Sequence, residues 1–157
     1  MATYTVFAQT ADATLPISAL RTHAERHFDL SIAVADASSP GVSTASGTRL
    51  HVQAAHAAGS YSIAVRLRTA ADVALAQAAE QRGAAAGMGA LAERCSHVWL
   101  VEAAPESPEW LTWEFCALLA LTALGPILPE DHSTLLGVRS ARARATKLKN
   151  ESADQAR

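Results

Sequence analysis

Short runs of β-branched and aromatic residues alternate along this chain with longer stretches in which apolar residues recur every three or four positions. Residues 3–9 (TYTVFAQ) read as a first strand. Ile17, Leu20, Ala24 and Phe28 then fall at helical spacing, behind Thr14 as a cap and Pro16 in the first turn, where a missing N–H costs nothing. Residues 30–37 (LSIAVADA) are a second strand, and 38–47 (SSPGVSTASG) a loop dense in turn residues. Residues 49–56 and 61–68 pair as a hairpin. In its second arm Tyr61, Ile63, Val65 and Leu67 alternate with Ser62, Ala64, Arg66 and Arg68, the pattern of a strand with one face toward solvent or a partner.

Thr69 and Asp72 stand three apart and open a long alanine-rich helix with an approximate capping box. Gly83, Gly87 and Gly89 interrupt it, and the pattern does not decide between helix and loop there. Residues 97–103 (HVWLVEA) are a fifth strand. Ser107, Pro108 and Glu109 start a helix that Gly125 and Pro126 must stop. A short last strand fits 133–138, and 139–157 is polar and expected to be disordered. The expected fold is α+β, with a mixed or antiparallel sheet of about five strands and two or three helices on one of its faces. A ferredoxin-like plan or a related open sandwich is the nearest simple arrangement. Residues 1–138 are read as a single domain and 139–157 as a basic tail.

Composition narrows this picture. The chain has 157 residues, 50% apolar and 18% charged, with a net charge of −2, which suits one globular domain able to bury a core without staples. Cys95 and Cys116 lie in apolar-periodic segments and are expected to be buried thiols rather than a disulfide. No basic region followed by an apolar one opens the chain, and the apolar run 115–128 is too short to span a bilayer. The expectation is a cytoplasmic protein without membrane contact. Residues 139–157 hold six basic and two acidic side chains, but no aromatic residues interleave with them, which argues against nucleic-acid binding.

Four groups of residues could carry chemistry. His23 and His27, four apart on one helix face, could share a metal if a third ligand came from elsewhere. Glu25 lies about 200° round the helix from His23, unlike the glutamate of the H-E-x-x-H zinc proteases. Gly83, Gly87 and Gly89 suggest a phosphate-cradling turn. The run is superficially similar to the acyl-CoA-binding turn of GNAT-type acetyltransferases (Q/R-x-x-G-x-G/A), but Ala84 stands at the Gln/Arg position. Glu130, Asp131, His132, Ser133 and Thr134 form the densest reactive run, equally readable as a polar turn. Trp110 and Trp113, three apart on one helix, are candidates for a partner surface together with Tyr61, Arg66 and Arg68.

No nucleophile–base pair, ligand cluster or phosphate loop emerges from the sequence. The functional expectation is therefore a non-enzymatic protein-binding or accessory domain, of an immunity or assembly-partner kind typical of bacteria, with no cofactor. Its partner would be another protein, bound at the edge of the 61–68 strand, or a second copy in a homodimer. The alternative is a small acyl-transfer enzyme using residues 83–89 for acyl-CoA and 130–134 for acid–base work.

Overall fold

A computed structural model describes residues 2–35 and 47–156. The predicted loop at 38–47 falls almost wholly outside the described residues. Among those described, the strands are β1 (Ala2–Ala8), β2 (Ser31–Val34), β3 (Thr48–Gln53), β4 (Ala58–Leu67), β5 (His97–Ala103) and β6 (Ile127–Leu128). The helices are α1 (Ile17–His23), prolonged by a π-helical turn at Ala24–Phe28, α2 (Ala70–Gly83), α3 (Met88–Arg94), α4 (Glu109–Ala123) and α5 (Val138–Gln155). The strands form one sheet in the order β2-β3-β4-β5-β1-β6, with every neighbouring pair antiparallel. The fold is α+β, as the pattern of elements implied. A ferredoxin-like plan would set β1 beside a strand of the central hairpin. Here β5 takes that place, between β4 and β1.

Strand alternation gives the sheet two unlike faces. On the front, Tyr4, Val6, Leu50, Val52, Tyr61, Ile63, Trp99 and Val101 join the main core beneath α1 and α4. α4 buries residues all round its circumference, from Leu111 to Ala123, because it lies between the sheet and α5. On the back, Phe7, Val98 and Leu128 meet Ala76 and Ala79 of α2, Ala92 of α3 and Cys95 in a smaller core. Helices thus pack on both faces, where the sequence suggested one. Alanines on α2 allow its close approach without producing a strong apolar stripe.

The larger departure is at the C-terminus. Residues expected to be a disordered tail form α5, which packs on α4. Ala141 and Ala145 are fully buried, with Val138 and Leu148 beside them in the core. This is a helical stripe, but its two central members are alanines flanked by arginines and lysines. The predicted strand at 133–138 is reduced to one bridge from Leu136 to Ile127. Thr14, expected to cap α1, bonds Asp12 instead, and Pro16 holds the cap position.

Candidate functional site

Of the two histidines, His23 at the end of α1 ties that helix to α4, while His27 is exposed in the π-helical turn. The Thr122 hydroxyl lies 3.0 Å from the Leu118 carbonyl, to which it can donate, and 3.0 Å from His23 Nδ1, with which it shares a hydrogen bond. The His23 and His27 rings are 6.2 Å apart. Among the described residues, no cluster of three or more His, Cys, Asp or Glu side chains could hold a metal ion. The third ligand that chelation requires is not among them.

Residues 83–89 are a helix end, a turn and a helix start. Ala84 closes α2 in the left-handed region and Gly87, at φ +88°, opens α3. The Gly87 N–H points at an acceptor, but that acceptor is Glu80 Oε1 of the same chain, at 2.7 Å. A side chain at Gly89 would also collide with the Glu80 carboxylate. The turn therefore binds a carboxylate of its own.

The 130–134 run lies beside this turn, so the two segments of the acyl-transfer alternative do meet. Arg82 donates to the His132 carbonyl at 3.0 Å, and Thr134 packs against Gly83 so closely that a Cβ there would overlap it. The run itself is a closed polar turn. Asp131 Oδ1 accepts from the Ser133 N–H at 3.0 Å, His132 N–H bonds the Pro129 carbonyl at 3.0 Å, and His132 sits at φ +53°. The Ser133 hydrogen bonds hold the Asp131 carboxyl below its usual range. Asp131 acts as a turn-former, and Glu130 is an exposed neighbour.

The proposed partner-surface residues divide. Tyr61 and Trp113 are buried, so neither can meet a partner in this conformation. Tyr61 bonds the Thr112 hydroxyl at 3.1 Å, and burial pushes its phenol up to about 12. Trp113 meets the Tyr4 ring edge-on at 5.2 Å, and Trp110 is half-buried. The 61–68 strand is not an edge: β4 pairs with β3 on one side and β5 on the other. Burial pushes the Cys95 thiol up to about 11 and raises the Cys116 thiol as well, which disfavours the nucleophilic thiolate in both.

Arg66 and Arg68 have structural roles. Arg66 grips Asp72 through two bonds of 2.7 and 2.8 Å, and Arg68 Nε bonds the Cys95 carbonyl at 2.7 Å. Asp72 also accepts from the Thr69 N–H at 2.7 Å and receives the Thr69 hydroxyl in return for its own N–H, completing the capping box. The Arg66 hydrogen bonds, aided by Thr69, hold the Asp72 carboxyl down at about 2. A depressed carboxylate contributes stability that is lost as pH falls through its folded value. Asp72→Ala should cost about 1–2 kcal/mol at neutral pH, since it removes a cap and a half-solvated ion pair. Its deficit relative to wild type should shrink as pH falls from about 4 towards about 2. Urea titrations across that range check both.

Two features escaped the sequence pattern. His97, buried at the start of β5, has Nδ1 2.9 Å from Ser96 Oγ and 3.2 Å from the Thr10 carbonyl. Ser96 Oγ already donates to that carbonyl at 2.6 Å, so the histidine clamps the chain after β1 rather than activating a serine. No spacing in the sequence connects Thr10 with Ser96.

The second feature is the back of the sheet over β2, β3 and β4. α2 and α3 cover the back only near β1, β5 and β6. Beyond them Ser31, Ala33, Arg49, His51, Gln53 and Glu102 are exposed. Cross-strand registers align them in rows: Ser31 with Gln53, Ala33 with His51, Arg49 with Ser62, and Ser62 with Glu102. Each outer strand carries a contact on its free side. Arg21 Nε bonds the Ile32 carbonyl on β2 at 3.2 Å, and Leu136 exchanges backbone bonds of 2.8 and 3.0 Å with Ile127 on β6.

The molecule is thus an antiparallel α+β sandwich with one region of sheet face left bare among its described residues. No helix among them is long and apolar enough to cross a membrane. No family model, curated protein or solved structure matches the chain.

Proposed function

We propose that this chain is a non-enzymatic protein-binding or accessory domain of the cytoplasm, of the immunity or assembly-partner kind, and that its partner lies across the back of β2, β3 and β4. The observation that carries this reading is the polar sheet face built from Ser31, Ala33, His51 and Gln53, exposed where the neighbouring back face is under helices. Side chains on paired strands are held at fixed spacing, so a partner meets a pre-organised surface at small entropic cost. The reactive groups support it indirectly: His23, Glu80, Asp131 and Ser96 are each spent on internal hydrogen bonds.

The test is recovery from native extract with tagged full-length protein, compared with an Ala33→Arg/His51→Glu variant. Both positions are exposed, so the variant should keep the wild-type circular dichroism spectrum and melting temperature. The expected result is one dominant protein, retained by wild type and lost by the variant. Equal retention, or no specific protein, contradicts the proposal.

A further inference from the structure

α5 lacks the local features that make a helix stable by itself. Gly137 at its N-cap offers no side-chain bond, and its first turn holds no acidic residue and its last turn no basic one. Its charges run against the helix dipole: Arg139 and Arg142 stand near the positive end, Glu151 and Asp154 near the negative end. An isolated segment of this length and charge order would be largely unfolded in water. What holds it is α4. Ala141 and Ala145 supply the buried contact, and three cations lie over aromatic rings of the underlying layer. Arg142 is 4.4 Å from the Phe28 ring centre, Arg144 4.8 Å from Trp113, and Lys149 4.8 Å from Trp110. Arg142 also bonds the His27 carbonyl at 3.0 Å. Glu114 of α4 is half-buried on this side, facing Arg142 and Lys149, and burial raises its carboxyl despite both cations.

We infer that α5 is a strap that folds only while docked on α4 and opens as a unit, about Gly137, while the sheet and the other helices stay folded. The docked strap covers Trp110 and Trp113, so opening turns a polar flank of the molecule into an aromatic one. Elements with few buried apolar contacts open sub-globally at lower free energy than the core. Here the buried contact from α5 rests on two alanines with half-buried Val138 and Leu148.

Hydrogen exchange of the full-length protein, read by mass spectrometry without denaturant, tests this. Peptides from 139–150 should exchange roughly 100-fold faster, relative to intrinsic rates, than those from β1 and β5, as a separate opening unit requires. Arg144→Gln combined with Lys149→Gln should speed α5 exchange by a further tenfold or so, because each cation–π contact contributes a factor of a few. The same variant should leave β1 and β5 unchanged. Both positions are on the outer layer, so the variant retains its core. Equal protection factors for α5 and β5 in wild type, or a variant that accelerates both together, would overturn the inference.

Discussion

Gly125→Ala should destabilise the protein by roughly 3 kcal/mol or more, at the upper end of what overpacking costs. Gly125 lies in the tight connection from α4 to β6, where the chain passes against β1. A methyl group there would overlap the Phe7 carbonyl oxygen and press on Cys95 Sγ, which lies 2.9 Å from the Cβ position. Neither neighbour can retreat cheaply. Phe7 is held on β1 between β5 and the chain entering β6, its N–H bonded to the Pro126 carbonyl at 3.0 Å, and Cys95 is packed in the smaller core. For a domain of this size the loss corresponds to a melting-temperature drop of about 10 °C. Gly87→Ala is the control. Gly87 has φ +88° but nothing within 4 Å of a Cβ, so it should cost only about 1–2 kcal/mol of backbone strain. Calorimetry on both variants checks the contrast, and equal losses would contradict the packing account.

A chain ending at Val138 should still fold, but with about 2–3 kcal/mol less stability and a strong tendency to associate. Removing α5 uncovers the outer sides of Trp110 and Trp113, the Phe28 ring and the flank of α4 beneath it, and each ~100 Å² of apolar surface so exposed costs about 2.5 kcal/mol. The deletion also frees Glu114 from burial, so part of the loss is offset. Exposed aromatic patches of that kind promote self-association. The readouts are the urea midpoint and light scattering of the truncated protein against full length. A truncated protein as stable and as monodisperse as the intact chain would show that α5 contributes nothing to the core.

That same segment shows where the sequence could be read and where it could not. Strands with β-branched and aromatic alternation, such as 97–103, and the Thr69–Asp72 cap were legible because each rests on local chemistry. The class of the fold followed from them. α5 was not legible, because its core-facing stripe is written in alanines and its stability depends on the rings of Phe28, Trp110 and Trp113, far earlier in the chain. The same holds for the site. Motif spacing drew attention to His23, Gly87 and Asp131, yet each is spent on a partner close at hand or on a neighbouring helix. The exposed sheet face carries no motif at all. Among the described residues it stands open because α2 and α3 cover only the β1, β5 and β6 side of the back, a fact of topology that no local pattern encodes. The edge assigned to residues 61–68 failed for a related reason: alternation records that one face is polar, not how many neighbours a strand has.

The most direct test of the binding account is the affinity of the recovered partner for three forms of the protein, measured by calorimetric titration. These are wild type, the Ala33→Arg/His51→Glu face variant, and Ala143→Arg on the exposed side of α5 as a control. The account predicts that the face variant binds at least ~100-fold more weakly, the loss expected when the centre of an interface receives a bulky cross-strand ion pair that the partner does not match. The control should stay within about twofold of wild type, as expected for a surface position away from the contact. Undiminished binding by the face variant, or a large loss in the α5 control alone, would contradict it and move the interface to the opposite side of the molecule.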